Sequence, residues 1–120
     1  MKILVVDDAM FMRKILKDMI THLGHEVIEA KDGEEAVAKS RLEQPDVVFM
    51  DVIMPKMDGI TATKLLKNEL NSKIIMCSAI SDKKNIIRAI KAGARDYIIK
   101  PVDDARLKDA LGRAIQSDYL

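Results

Sequence analysis

The sequence predicts an α/β fold, a doubly wound parallel sheet of five strands in which a helix follows each strand. The first observation is alternation, because short apolar runs and helix-like segments follow one another five times along the 120 residues. The second is composition: 48% hydrophobic and 32% charged residues are typical of a globular domain with its own core. The third is that polar residues directly follow the apolar runs. These runs are residues 2–6, 26–30, 47–50, 74–77 and 97–99.

Helix signals in the first half of the chain fit this alternation. A first helix is predicted from about Ala9 to Leu23, and Gly24 is suited to its C-terminal stop. Residues 26–30 are more polar than the other runs and are predicted to form an edge strand. Asp32 is a plausible N-cap for the second helix, which must end before Pro45 because a residue before proline avoids helical angles. Glu35 is placed to complete a capping box. The apolar face of the first helix is Met12, Ile15, Leu16, Met19 and Leu23.

The second half contains three further helices. The third is predicted from about Gly59 to Leu70, after a loop with the sequence VIMPKMDG. The fourth is capped by Ser81 or Asp82 and ends near Gly93. Crossovers between parallel strands are right-handed, which places helices on both faces of the sheet. The last helix has apolar residues at helical spacing: Leu107, Ala110, Leu111, Ala114 and Ile115.

Composition and charge argue against several classes of protein. The net charge of +1 is too small to attract the whole molecule to nucleic acid or to anionic lipid. The apolar runs are too short to span a bilayer, and we expect no signal peptide before the first strand pattern. Cys77 is the single cysteine and is expected to be a buried packing residue. We therefore expect a cytoplasmic monomer that binds no nucleic acid and does not insert into membranes.

Polar residues at the ends of four strands predict one common site. Asp7 and Asp8 follow the first run, Asp51 the third, Ser78 the fourth and Lys100 the fifth. In a parallel sheet the carboxyl ends of the strands meet at one edge, which is where ligands of open α/β sheets bind. A lone aspartate at a strand end is usually a turn former, but the coincidence of these residues predicts a site.

The chemistry of these side chains indicates phosphoryl transfer. Clustered carboxylates form a hard-oxygen site for a Mg²⁺-type cation, and without a cation each like-charged pair at ~4 Å costs about 1 kcal/mol in water and more in a cleft. Lys100 relieves part of this repulsion, and the Ser78 hydroxyl adds a donor for a tetrahedral anion. Lysine, hydroxyl and divalent cation are what a phosphoryl group needs around its outer oxygens. Asp51, alone on the middle strand, is then the predicted nucleophile.

Several motifs carry a family resemblance. They are VVDD at 5–8, FMDVIMP at 49–55, DG at 58–59, SA at 78–79 and GARDYIIKP at 93–101. Together with the five βα units, they make the chain resemble the CheY-like receiver domains of bacterial and archaeal response regulators. The resemblance covers essentially all residues and implies one receiver domain over 1–120, with a flavodoxin-like (βα)5 fold and the strand order 2-1-3-4-5.

The resemblance implies roles at the acidic cluster. Asp51 would accept a phosphoryl group from a phosphohistidine of a sensor histidine kinase and become an aspartyl phosphate. Asp8 and Asp51 would bind Mg²⁺ directly together with the backbone carbonyl of Ile53, and Asp7 would act through a bound water. Receivers of this kind are switches rather than enzymes, although they assist their own phosphorylation and slow autodephosphorylation. Because Ile53 and Ile80 hold positions that influence hydrolysis in the family and neither can bind an attacking water, slow dephosphorylation is expected.

The resemblance also implies a switch. Lys100 would pair with the phosphoryl oxygens, Ser78 would move to meet them, and Tyr97 would change rotamer in response, although it could instead be edge-strand packing. Pro101 matches a proline often preceded by a cis peptide bond. The switch would alter the face formed by helix four, strand five and helix five. Basic residues lie near this face and form either a solvated surface or a site for an acidic partner: Lys83, Lys84, Arg88, Lys91 and Arg95.

Three outputs suit a receiver without an attached effector: chemotaxis, phosphate relay to a histidine phosphotransfer protein, and separable regulation of an enzyme. The DDAMFMRKIL and CSAISD segments most resemble chemotaxis regulators, so a flagellar switch or motility adaptor is the expected partner. Two other classes fit less well. An aspartyl-phosphate phosphohydrolase would need an acid at position 53, which is Ile, and a flavodoxin-like nucleotide binder would need a glycine-containing loop after the first strand.

Overall fold

The computed structural model of the protein describes residues 1–116 and shows five βα units in succession. The strands are β1 (Lys2–Val6), β2 (Glu26–Ala30), β3 (Val47–Met50), β4 (Lys73–Ser78) and β5 (Asp96–Ile99). The helices are α1 (Met10–His22), α2 (Gly33–Glu43), α3 (Gly59–Leu66), α4 (Lys83–Ala92) and α5 (Asp104–Gln116). Residues 117–120, the end of the predicted domain range, lie outside the described residues.

All strand pairings are parallel, and the order is β2-β1-β3-β4-β5, as predicted. The more polar β2 is an edge strand, also as predicted. In the register, Val6 of β1 faces Met50 of β3, and Met50 faces Met76 of β4. Strands β1 and β3 therefore end level, and the residues that follow them emerge side by side, whereas β4 continues two residues further to Ser78.

Side-chain alternation along the strands divides the core into two layers. Leu4 and Met50 belong to a layer that packs against α2, α3 and α4, whereas Ile3 and Phe49 belong to a layer that packs against α1 and α5. Because both faces of the sheet are covered, the central strands are apolar without interruption, which is the pattern of buried parallel strands. The Cys77 side chain is buried in the second layer, as expected.

The structure corrects two helix predictions. In α1 the buried residues are Leu16 and Ile20, which lie one turn apart on one face of the helix. The predicted apolar face did not include Ile20. It did include Ile15 and Leu23, which are each 37% exposed. Helix α3 ends at Leu66 rather than at residue 70, and a turn follows in which the amides of residues 69 and 70 both bond to the Leu66 carbonyl.

Helix caps are mostly as predicted. The Asp32 carboxylate accepts a bond from the Glu35 amide at 2.8 Å, which is the first bond of the predicted capping box. The Glu35 carboxylate pairs with Lys39 at 3.1 Å instead of completing the box. Of the two candidates for α4, Asp82 is the cap and accepts a bond from the Asn85 amide. None of the helices in residues 1–116 is long and apolar enough to cross a membrane.

Candidate functional site

The predicted site residues lie at the carboxyl edge of the sheet. Asp7 and Asp8 directly follow β1, Asp51 follows β3, and Lys100 follows β5, while Ser78 is the last residue of β4. The order of the strands explains the grouping, since β1 and β3 are neighbours and β4 lies between β3 and β5.

Three carboxylates form the centre of the site. Oxygen atoms of Asp7, Asp8 and Asp51 all lie within 4.8 Å of one another. Asp7 and Asp51 are buried, at 2% and 8% exposure, whereas Asp8 is exposed and open to solvent. A donor set of carboxylate oxygens at this separation suits a hard divalent cation such as Mg²⁺.

The Lys100 ammonium joins two of these carboxylates. Its Nζ lies 2.6 Å from Asp7 Oδ2 and 3.2 Å from Asp51 Oδ2. Burial lowers the pKa of Lys100, but the hydrogen bond to Asp7 and the charge of Asp51 outweigh burial, and the pKa is raised above its usual value. Lys100 is therefore a permanent cation at the site. The peptide bond between Lys100 and Pro101 is cis, as the resemblance implied.

The environment of Asp51 disfavours its ionised form. Burial raises the pKa of Asp51; the charge of Lys100 opposes this effect, and the charge of Asp7 adds to it. The net result is a raised pKa. One oxygen, Oδ1, accepts a bond from the Val52 amide at 2.7 Å, and Oδ2 faces Lys100. The carboxylate is thus held in a fixed orientation.

Asp7 is held more extensively than Asp51. Its Oδ1 accepts a bond from the Ala9 amide at 2.9 Å, while its Oδ2 accepts from Lys100. Its backbone carbonyl accepts a bond from Arg13 Nη1 at 2.7 Å, and Arg13 also pairs with Glu29 on the edge strand. These bonds tie the start of α1 to the acidic cluster.

Ser78 and Tyr97 are connected through the backbone of Ile80. The Ser78 hydroxyl is buried and accepts a bond from the Ile80 amide at 3.2 Å, and the Tyr97 hydroxyl donates to the Ile80 carbonyl at 2.6 Å. Burial raises the pKa of Tyr97, against a smaller lowering by the Ser78 side chain. Tyr97 also packs against the buried layer under α4. Its side chain therefore packs against the core and at the same time bonds to the β4–α4 loop.

Ile53 lies in the loop between β3 and α3, two residues after Asp51. Its side chain is 64% exposed. Its flanking residues, Val52 and Met54, are buried and anchor the loop in the core. The role of the Ile53 carbonyl in metal binding stays a prediction.

Two glycines shape this loop, and sequence reasoning did not assign them a role. A Cβ on Gly59 would lie 1.9 Å from the Asp51 carbonyl oxygen, and a Cβ on Gly33 would lie 2.1 Å from the Met57 carbonyl oxygen. Both glycines therefore permit close backbone approach. The available signal was the repeated pair Asp32-Gly33 and Asp58-Gly59, in which a glycine directly follows a helix N-cap.

Comparison with known proteins agrees with the geometry. Residues 3–112 match the family described as the response regulator receiver domain. The chain belongs to this family, as the motifs predicted.

Among characterised relatives, the chain is 50% identical to chemotaxis protein CheY of Thermotoga maritima, over 93% of this chain and 95% of that protein. It is 46% identical to chemotaxis protein CheY of Bacillus subtilis, over 95% of this chain and 97% of that protein. Among solved structures, a CheX–CheY–BeF3–Mg complex from Borrelia burgdorferi is similar with a TM-score of 0.86 and 34% identity, over 99% of this chain and 89% of the matched one. The protein is therefore a CheY-like receiver of two-component signalling.

Proposed function

We propose that this chain is a phosphorylation-activated switch of a chemotaxis system, in which Asp51 accepts a phosphoryl group from a sensor histidine kinase. The observation that carries the proposal is the convergence of Asp7, Asp8 and Asp51 within 4.8 Å, with Lys100 Nζ 3.2 Å from the acceptor carboxylate. Receiver domains are signalling switches, and this grouping supplies the acceptor, the counter-charges and the oxygen ligands that such a switch requires.

In the proposed reaction an Asp51 oxygen attacks phosphorus, a P–O bond forms, and the P–N bond to the donor imidazole breaks. The imidazole retains the electron pair of that bond and takes up a proton from solvent. Lys100 is placed to neutralise charge on the transferred group, because its Nζ already contacts the Asp51 carboxylate. Asp7 and Asp8 would hold Mg²⁺ together with Asp51 and the Ile53 carbonyl, Asp7 through a water, and the cation would neutralise phosphoryl oxygens.

After transfer, the new anion draws Ser78 and Lys100 toward Asp51. Movement of the Ser78 hydroxyl breaks its 3.2 Å bond with the Ile80 amide and frees the loop to which Tyr97 is bonded. The site is in this way connected to the face of α4, β5 and α5 through a single loop. The expected effect is a change in the population of partner-binding conformations.

The output face combines basic and apolar groups. On α4, Ile87 and Ile90 are 42% and 46% exposed, and Lys84, Arg88 and Lys91 are exposed beside them. This composition fits an acidic, partly apolar motility or flagellar switch partner. The CheY relatives support a chemotaxis output, and no described feature favours a phosphorelay intermediate. The cytoplasmic location, the monomeric state and the lack of an enzymatic reaction on other substrates remain predictions.

Intact mass measurement after incubation with acetyl phosphate tests the acceptor. We expect one phosphoryl adduct that requires Mg²⁺ and is absent in Asp51→Asn. The matched control is Asp58→Asn, which makes the same aspartate-to-asparagine change at an exposed residue of the same loop. An adduct that persists in Asp51→Asn would contradict the assignment of the acceptor. The absence of any adduct in the unaltered protein, together with failure to bind beryllofluoride, would contradict the proposed phosphoryl chemistry.

A pull-down with beryllofluoride-activated protein tests the output. Recovery of a flagellar switch or motility component, reduced in Arg88→Glu, would support the chemotaxis proposal. Recovery of a histidine phosphotransfer protein without a motility component would support a relay instead.

A further inference from the structure

Gly33, the first residue of α2, lies against the loop that follows Asp51. A Cβ built on Gly33 would lie 2.1 Å from the Met57 carbonyl oxygen, 2.7 Å from its carbonyl carbon and 2.8 Å from its Cβ. Real Cβ atoms essentially never approach heavy atoms closer than 3.0 Å, so a side chain here requires a displacement of about 0.9 Å. The obstructing atoms are mainly backbone atoms, which cannot move away by a change of rotamer as the end of a side chain can.

Helix α2 is fixed on its side of this contact. Asp32 is 4% exposed, and its Oδ1 accepts a bond from the Glu35 amide. One turn further on, Ala36 and Val37 are buried in the core layer beneath α2. Withdrawal of the first turn would therefore expose apolar side chains and disturb a buried cap, so α2 resists displacement and the loop has to take up part of it.

The loop transmits a displacement to Asp51. Met57 is two residues before Gly59, whose amide donates to the Val52 carbonyl at 2.8 Å and closes the loop. Gly59 in turn lies directly on the Asp51 backbone, since a Cβ on it would be 1.9 Å from the Asp51 carbonyl oxygen. A shift of the Met57 carbonyl therefore reaches the Val52 amide, which is the donor that orients Asp51 Oδ1 at 2.7 Å.

We propose that Gly33 is a positioning residue for the carboxylate site. Because Gly33 has no Cβ, the start of α2 can contact the Met57 carbonyl and keep the β3–α3 loop in the position that orients the Asp51 carboxylate. The inference rests on the proposed function, because it concerns the metal site that Asp51 shares. It extends the site to a residue outside the cluster of Asp7, Asp8 and Asp51. Residues that orient metal ligands from outside contribute about 10–100-fold in affinity, which sets the expected size of the effect.

The test is calorimetric titration of Mg²⁺ into Gly33→Ala without any phosphodonor. We expect the Mg²⁺ dissociation constant to rise about tenfold, while circular dichroism shows a folded protein at the titration temperature. The matched control is Gly112→Ala in α5, where an added Cβ meets no atom within 4 Å. Its dissociation constant should equal that of the unaltered protein. A dissociation constant for Gly33→Ala within twofold of the unaltered protein would overturn the proposal.

A second variant covers the case in which Gly33→Ala does not fold. Lys56 holds a positive φ of 68° in the same loop, so Lys56→Gly gives the loop freedom to yield to the new Cβ. We expect Gly33→Ala/Lys56→Gly to recover the melting temperature of Lys56→Gly but to retain a Mg²⁺ dissociation constant at least fivefold higher than that single variant. Equal affinities in the two Lys56→Gly proteins would reject a positioning role.

The titration also separates this inference from the proposed function. If the unaltered protein binds no Mg²⁺, the proposed metal site fails and the positioning role fails with it. If the unaltered protein binds Mg²⁺ and Gly33→Ala binds it equally well, only the positioning role fails.

Discussion

Lys100 lies closer to Asp7 than to Asp51: its Nζ is 2.6 Å from Asp7 Oδ2 and 3.2 Å from Asp51 Oδ2. The ammonium therefore pairs chiefly with the carboxylate that is not the proposed acceptor. In the proposed function, this arrangement would let Lys100 neutralise the buried pair before phosphorylation and would leave its weaker contact available to a phosphoryl group.

Replacement of Lys100 by methionine should destabilise the fold. The change leaves Asp7 and Asp51 buried without their shared cation, and loss of one partner of a buried pair costs about 3 kcal/mol. We expect a decrease of about 2–3 kcal/mol in the free energy of urea unfolding at neutral pH without Mg²⁺. Lys14→Met is the control, because its ion pair with Asp18 is exposed and should contribute less than about 0.5 kcal/mol. Equal effects of the two substitutions would contradict the central role of Lys100.

Asp8→Ala should remove most of the stabilisation that Mg²⁺ provides. A cation that binds only the folded protein stabilises it by about 2.7 kcal/mol at a hundredfold excess over its dissociation constant. Asp8 contributes an oxygen to the cluster, and removal of its charge also relieves repulsion. We therefore expect a higher melting temperature without Mg²⁺ and a much smaller shift with it. Asp18→Ala makes the same charge change away from the cluster, and an unchanged Mg²⁺ shift in Asp8→Ala would place the cation elsewhere.

Asp51→Asn should stabilise the protein in the absence of Mg²⁺, and the gain should depend on pH. Burial raises the pKa of Asp51 in the folded protein, so the folded state binds a proton more readily than the unfolded chain. Ionised Asp51 therefore lowers the free energy of unfolding by its full amount at pH values above the raised pKa of the folded protein. This destabilisation disappears as the pH falls toward the pKa of the unfolded chain, about 3.9.

Thermal melts of both proteins in EDTA measure this difference. We expect the two melting temperatures to converge as the pH is lowered from 7 to 4. A difference that stays constant across this range would indicate that the gain does not come from ionisation of Asp51.

The Cys77 thiol should be almost inert in the folded protein. Burial raises its pKa to about 12, and the residue is 2% exposed. At pH 8 the thiolate fraction is then on the order of one in ten thousand, and only the thiolate reacts. Labelling with a thiol reagent should be at least a hundredfold slower in buffer than in urea, with Cys77→Ala as the blank. Similar rates in both solvents would mean that the strand opens readily.

Polar residues at positions 53 and 80 should accelerate hydrolysis of the aspartyl phosphate. Ile53 is 64% exposed and can be replaced with little loss of packing, whereas Ile80 packs against the core and provides backbone bonds to Ser78 and Tyr97. We expect Ile53→Asn/Ile80→Gln to shorten the phosphoryl lifetime several-fold, because both side chains can orient a water. The lifetime is followed by intact mass after removal of the phosphodonor.

The control for this measurement is Leu42→Asn, which exchanges an apolar side chain that is 79% exposed on α2. Its phosphoryl lifetime should match that of the unaltered protein. A double variant that decays at the same rate as Leu42→Asn would show that the two isoleucines do not retard hydrolysis.

Much of the fold was predictable because its signals are local. The apolar runs marked every strand, the Asp32 cap marked the start of α2, and Gly24, with a φ of 92°, marked the end of α1. The prediction of the buried face of α1 failed because that face depends on a neighbouring element. Ile20 is buried and Ile15 is half-exposed only because of how α1 lies on its face of the sheet, which periodicity alone does not specify.

The sequence by itself determined which residue types stand at the strand ends, and hence that carboxylates, a hydroxyl and a lysine share one edge of a parallel sheet. Only the tertiary structure decided how they pair. The stronger contact of Lys100 with Asp7, the connection of Ser78 to Tyr97 through Ile80, and the contact of Gly33 with Met57 all join residues far apart in the chain. Such distances depend on strand register and helix placement to within an ångström, and no local pattern in the sequence encodes them.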